Sequence, residues 1–323
     1  MNCFLTKLKF ETAVHFGSSD SALSLYTSGD HFRADTLFSA LCHTALNRDG
    51  AAGLDRLISL AKEGQLRLSD SMPWRGDDLY LPKPVIAAES SREVPSDLRK
   101  AVKKLAWLPA RSMAAFSESL HGGEPYRPEA DAGSFGRVTE RTFAAVPEEG
   151  DAVPYQVGLY QFRENCGLYV LLETESRADG EWVLDLIGLL GLTGIGGKTS
   201  AGFGTFSVQQ PVRLNDAADE QGRWLYAALM RTEGAQLLLT SSLPRDEELD
   251  AVLDGATFQL VRRSGFVASD TYAETAQKKK TQVFLAAGAV LPRRFEGDLY
   301  EVGCGGGHPV FRYAKPMLLG VSL

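Results

Sequence analysis

Lys198 stands within GLTGIGGKTSAGFG, residues 191–204, where Gly194, Gly196, Gly197 and Gly202 leave the backbone bare on both sides of it. Main-chain N–H groups exposed in this way can approach a phosphate or a chain of phosphates, with Lys198, Thr199 and Ser200 adding a charge and two hydroxyls. A nucleotide-binding P-loop is excluded on two grounds. Its pattern is Gly, four residues, then Gly-Lys-Thr, and Leu192 occupies the first of those positions. The order of elements is also reversed, because a helix-like WVLDLIGLL precedes the segment and a strand-like FGTFSV follows it. The segment is either a cradle for a longer polyanion or a tight structural turn.

Other residues with chemistry available to them are scattered. His15 in AVHFG could act as a general base on RNA, or make a structural hydrogen bond at a strand end. His31 in SGDHFRADT has the same two readings, and no serine, cysteine or acid pair is spaced to complete a triad. Cys304 and His308 across CGGGH supply two ligands, too few for a metal site. Asp35, just before the apolar periodicity of LFSALCHTAL, reads as a helix N-cap. Cys3, Cys42, Cys166 and Cys304 form no C-x-x-C pair, so they read as buried thiols and not as a zinc knuckle or disulfide framework. Arg141, Arg262 and Arg263 join Lys198 as a set, since guanidinium forks match phosphate and stack on bases.

The elements that must position these groups follow from periodicity. CFLTKLKFETAV alternates, with Phe4, Leu8 and Phe10 opposite Lys7, Lys9 and Glu11, as in a half-buried strand. Leu37, Phe38, Leu41, Cys42, Ala45 and Leu46 form a helical stripe, and LDRLISLAKEG predicts a second helix. Strands follow in LRLSDSMPW and DDLYLPKPVIA, then in RVTERTFAAV, YQVGLYQF and GLYVLLET, before the helix and the glycine-rich segment. Residues 90 to 137 are turn-rich, carry one basic amphipathic helix and read as an insertion. The sum is a βαββαβ order, repeated more faintly after the linker PVRLNDAADEQG.

With 323 residues, 44% hydrophobic and 23% charged, the composition suits two globular domains, and no apolar run reaches a membrane span or a secretion signal. A cytoplasmic location is expected. The net charge of -7 excludes a protein that grips many phosphates over its whole surface. It permits a local basic track, because positive charge clusters at Arg262-Arg263, Lys278-Lys279-Lys280 and Arg293-Arg294.

The order of motifs resembles a known family, the Csm-type subunit of type III-A CRISPR effector complexes that caps the 5′ end of the guide RNA, within the RAMP superfamily. The motifs are HFG, HFRADTLFSALC, YLPKP, LRKAVKKLAWLP, RVTERTF with PYQVGLYQF, GIGGKTSAGFG, LVRRSGFV, KKKTQVFLAAGAVL and HPVFRYAKPMLLGV. The resemblance implies an α+β fold of two ferredoxin-like (RRM-like) domains, residues 1–210 and 211–323, with a thumb drawn from an insertion at about 90–137. It implies binding of the crRNA 5′ tag without catalysis, metal or cofactor, and contacts to the large polymerase-like subunit and the backbone RAMP subunit. Carried onto this sequence, Gly194, Gly196, Gly197, Lys198, Thr199, Ser200 and Gly202 hold the tag, Arg262, Arg263 and Gly265 line the same cleft, and Arg33, Arg141 and His15 complete the set. RYAKP carries Ala314 where many relatives have glycine. The alternatives from other classes are a metal-independent endoribonuclease using His15 or His31, and a purely structural subunit.

Overall fold

Alternation at the start of the chain folds as β1 (Asn2–Phe10), which turns Phe4 and Leu8 to one face and Cys3 and Leu5 to the other. The computed structural model describes residues 1–17, 22–86, 95–129, 134–145 and 151–323. After β1 come α1 (Ala34–Lys62), β2 (Leu66–Leu68), β3 (Met72–Arg75), β4 (Asp78–Pro82), α2 (Ser96–Lys104), β5 (Trp107–Pro109) and α3 (Met113–Leu120). The chain continues through β6 (Gly136–Ala145), β7 (Val153–Phe162), β8 (Cys166–Thr174), α4 (Arg177–Thr193), β9 (Phe206–Val208) and β10 (Val212–Arg213). The last third holds α5 (Glu220–Met230), β11 (Ala235–Leu238), α6 (Leu249–Leu253), β12 (Leu260–Arg263), β13 (Gln282–Leu285), β14 (Val290–Leu291), β15 (Leu299–Glu301), β16 (Phe311–Tyr313) and β17 (Leu318–Val321).

The main sheet is antiparallel, in the order β10-β1-β8-β3-β4-β5, with β9 also on β1 and β2 also on β8. Strands β9, β1, β8 and β2 with α1 and α4 therefore follow the expected βαββαβ order. Both helices pack on the face that carries Phe4, Leu8, Leu168 and Val170. The α1 stripe is buried at Leu37, Phe38, Leu41 and Ala45, each large apolar side chain contributing roughly 2 kcal/mol. Leu46 lies outside it, exposed. The two helices expected here form one span interrupted at Gly50, whose φ of 68° and ψ of -158° break the helical path.

β1 is not half-buried. Its second face is covered by a core that joins Cys3, Leu5 and Met72 to Leu225 and Leu229 of α5, Leu237 of β11 and Leu319 of β17. Lys7 remains on that face by lying over Trp74, its Nζ 5.0 Å from the ring centroid. The stretch expected as an insertion is partly core as well: α2 is the basic helix, but β5 pairs with β4, and Trp107, Met113 and Phe116 are buried. Residues 90–94 and 130–133 of that stretch lie outside the described residues. β6 and β7 pair with each other in a two-stranded sheet, with Val138 and Val153 exposed. In the last third, β14-β11-β17 form a separate antiparallel sheet, and among the described residues no helix joins β14 to β17. No helix among the described residues is long and apolar enough to cross a membrane.

The two halves are tied by polar groups as well as by shared cores. Asp70, 1% exposed, accepts from Ala34 N–H (2.8 Å) at the start of α1 and from Ser241 N–H (3.0 Å) and Oγ–H (2.7 Å). The α1 cap thus comes from Asp70 and not from Asp35, the cap expected from sequence. Nearby, the Leu68 N–H donates to the Tyr313 hydroxyl at 2.9 Å. Asp70→Ala leaves three buried donors unpaired and is expected to cost about 3 kcal/mol, read as a lower midpoint in urea unfolding.

Candidate nucleic-acid interface

The glycine-rich loop starts later than its sequence suggests. α4 runs to Thr193, so Gly191 and Leu192 are helical and the chain turns at Gly194. Gly196, with φ of 103°, is required by geometry: a side chain there would put its Cβ 2.7 Å from the His15 carbonyl oxygen. The loop is pinned to the chain beyond β1 by Gly197 N–H to His15 O (2.8 Å) and Gly204 N–H to Ala13 O (2.9 Å), and closed by Ile195 N–H to Gly204 O (3.0 Å). Tight turn and exposed backbone coexist. Among the described residues the amides of Gly196, Lys198, Thr199 and Ser200 carry no hydrogen bond, an arrangement suited to an anion.

Gly194, Gly196, Gly197 and Thr199 line a cleft of about 880 Å³ together with His15, Arg33 and Arg263 from the expected set. Its walls also carry Arg48, His31, His43, Phe266, Lys279 and Arg312. The far wall is held by Asp35, which accepts Arg263 Nε–H at 2.9 Å and Nη2–H at 2.8 Å in a bidentate fork, with Arg312 Nε 3.9 Å away. Burial disfavours the Asp35 charge, but the Arg263 charge and hydrogen bonds, then Arg312 and Arg33, outweigh it and hold the carboxyl below its ordinary value. Arg312, 3% exposed, donates to the carbonyls of Lys280 (2.8 Å), Arg263 (3.1 Å) and Ser264 (3.2 Å). Burial depresses Lys279, against the pull of Asp35, and it also lowers His43, which the Lys279 charge lowers further.

The two histidines differ. His15 Nδ1 lies 2.7 Å from the Gly158 carbonyl, an acceptor, so Nδ1 carries the proton and the ring is anchored to β7. His31 Nδ1 lies 2.8 Å from Asp30 Oδ1, while Trp107 Nε1–H donates to Asp30 Oδ2 at 3.4 Å. Burial opposes ionisation of Asp30, yet these partners, His31 foremost, keep its carboxyl below the usual range.

The remaining expected residues are elsewhere. Lys198, left-handed at φ 64°, turns its ammonium to the Tyr155 hydroxyl (3.0 Å), 4.8 Å from that ring's centroid. Arg141 lies over Phe143 and Phe203 at 5.8 and 5.6 Å, so Lys198 and Arg141 share an aromatic cluster with Phe143 and Tyr155 of the β6–β7 pair. Ser200, Gly202, Arg262 and Gly265 do not line the cleft; alternation along β12 puts Arg263 there and Arg262 on the other side. Sequence reasoning did not single out Lys279 from its run of three lysines, nor Arg312, which no periodic pattern marks. Cys304 is exposed, unlike the buried thiols expected, and His308 Nε2 is engaged by Ser269 Oγ at 2.8 Å. Ala314, at the glycine position of the motif, is buried without positive φ.

Residues 7–207 match the RAMP superfamily, and residues 231–321 match the CRISPR Csm4 C-terminal domain. The chain belongs to the Csm4 family of type III-A CRISPR systems. It is 36% identical to the CRISPR system Cms protein Csm4 of Mycobacterium tuberculosis (strain CDC 1551 / Oshkosh), over 99% of this chain and 98% of that one. Identity to the Csm4 protein of Streptococcus thermophilus is 27%, over 98% of each. Its fold resembles a chain of a solved Csm1-Csm4 cassette in complex with cA4 (TM-score 0.63, 19% identity, 100% of this chain and 99% of that chain). It also resembles a chain of the Csm3-Csm4 subcomplex of a type III-A interference complex (TM-score 0.63, 16% identity, 100% of each).

The Asp35 cluster carries a pH signature. Its folded carboxyl titrates below the ordinary 3.8, so its contribution is fully present above about pH 5 and is lost as pH falls through the folded value. Asp35→Asn is expected to cost about 3 kcal/mol at neutral pH, and the gap to wild type in chemical denaturation should narrow progressively as pH falls below the ordinary carboxyl value of 3.8.

Proposed function

We propose that this chain is a non-catalytic RNA-binding subunit of a type III-A interference complex in the cytoplasm. The cleft beside the glycine-rich loop holds the 5′ repeat-derived tag of the crRNA, and other faces anchor the large polymerase-like subunit and the backbone RAMP subunit. The observation that carries this reading is the convergence of unbonded loop amides at Gly196 and Thr199 with Arg33, Arg263 and Lys279 on one cleft. Amides and cations aimed at one space suit a phosphate chain, and the aromatic groups at its rim suit bases. Lys198, Ser200, Gly202 and Arg141 extend the track toward the β6–β7 pair, with Arg262 and Gly265 on the far side. The solved assemblies of relatives contain Csm1 or Csm3 beside Csm4, which supports those two partners here. Two ferredoxin-like halves, residues 1–210 and 211–323, are the architecture that we infer, supported in the first by the βαββαβ order.

Arg33→Ala with Lys279→Ala is expected to weaken retention of tag RNA in the reconstituted complex at least tenfold and to flatten its salt dependence by about two phosphates. Unchanged affinity in a filter-binding assay would sink the reading.

One observation favours a second reading, metal-independent cleavage of precursor RNA: the carboxylate of Asp30 orients His31 at the cleft. Incubation with repeat RNA in EDTA decides it. The expected outcome is intact RNA, and 2′,3′-cyclic phosphate ends lost in His31→Ala would reverse the assignment.

A further inference from the structure

A second concavity, of about 710 Å³, opens on the sheet face opposite the cleft, between β1, the β3–β4 turn, α3 and the start of α5. Its floor is apolar, formed by Leu5, Leu79 and Leu214, and it carries two large side chains that the fold leaves in solvent, Val212 at 41% and Trp224 at 37% exposure. The Trp224 indole N–H has no hydrogen-bond partner among the described residues. An amphipathic ring presented in this way is the type of side chain that anchors protein interfaces.

The rim has the opposite sign to the cleft. The cleft sets Arg33, Arg48, Arg263, Arg312 and Lys279 against the single carboxylate Asp35, whereas here Asp77, Asp78, Asp219 and Glu220 face only Lys7 and Arg111. Both of those cations are occupied: Arg111 pairs with Asp78 and with Glu129, and Lys7 Nζ donates to the Gly76 carbonyl at 3.0 Å. Asp219 is taken up in capping α5 through Gly222 N–H at 2.8 Å. Asp77 and Glu220 hold no ion pair among the described residues.

From this geometry we propose that the groove docks a protein segment combining an apolar side chain with flanking lysine or arginine. The apolar group packs on Leu79, Val212 and Trp224, and the cations reach Asp77 and Glu220. An RNA strand is the wrong ligand, since four carboxylates would repel its phosphates. Two faces of one sheet thus sort two classes of ligand by sign, a polyanion on the helical side and a basic protein segment on the other. The inference rests on the reading of this chain as a subunit of a complex, in that the segment comes from one of its two protein neighbours.

The test uses the full chain carrying Asp77→Lys with Glu220→Lys, and separately Trp224→Ala. Each variant is measured by biolayer interferometry against the purified large subunit and the purified backbone subunit, at low and high salt, with tag-RNA retention in parallel. The expected result is a loss of at least about tenfold in affinity for one subunit in both variants. The salt dependence of that association should also disappear in the double charge reversal, with RNA retention unchanged. Trp224→Ala could loosen α5, so the charge reversal, confined to surface carboxylates, decides if only that variant keeps the wild-type melting temperature. Association within twofold of wild type for both subunits overturns the proposal. So does loss of RNA retention without loss of protein association, or loss of a self-dimer in light scattering, which would give the groove to a second copy. Failure of the RNA reading registers separately, as absent tag retention in the wild-type chain.

Discussion

Asp35 is a buried carboxylate approached by three guanidinium groups, and the relation between the two halves turns on it. Arg263 comes from β12, Arg312 from β16 and Arg33 from the turn before α1. None of these cations could be brought this close to the others inside a protein without a counter-charge, because desolvation and mutual repulsion would both oppose it. The carboxylate removes that repulsion, and the bidentate fork at 2.8 and 2.9 Å adds direction, fixing β12 against the first turn of α1. Asp70 performs a parallel task, capping α1 while holding Ser241. The cleft wall is a by-product of these two contacts.

That arrangement explains how an acidic chain presents a basic site. The net charge of -7 is a sum over the whole surface, and it carries no information on how the two signs are distributed. In the fold, carboxylates collect around α5 and the β3–β4 turn, and arginines converge where β12, β16 and the start of α1 meet. Arg263 has a divided role as a result. It lines the cleft, yet its fork is already satisfied by Asp35, so it contributes field and shape there more than a direct contact. The backbone amides of the loop and Lys279 are left to meet a ligand at short range.

The glycine-rich loop combines two demands that looked like alternatives. Close approach of the His15 carbonyl excludes a side chain at Gly196, a packing requirement, and the same compression turns neighbouring amides away from internal partners. A structural turn with unbonded N–H groups is what an anion site built from backbone requires. Lys198 shows how backbone conformation places a side chain: at φ 64° its ammonium sits on the Tyr155 hydroxyl, outside the cleft that the glycines line.

Periodicity in the chain was enough to reveal β1, the α1 stripe, α4 and the βαββαβ order, because those signals are local and repeat at the period of the element. The glycine spacing excluded a P-loop for the same reason. The motif order pointed to the family. Contacts between residues far apart in sequence were beyond its reach: β1 alternates as a half-buried strand, and only packing against α5 and β17 buries its second face. Asp35 reads as a cap until Arg263, more than two hundred residues away, claims it. Lys279 and its neighbours are indistinguishable until a loop turns one of them inward, and the exposure of Trp224 and Val212 is visible only in the fold. Local patterning selects elements, whereas charge pairing and burial depend on which distant elements meet, and that is decided only when the chain closes on itself.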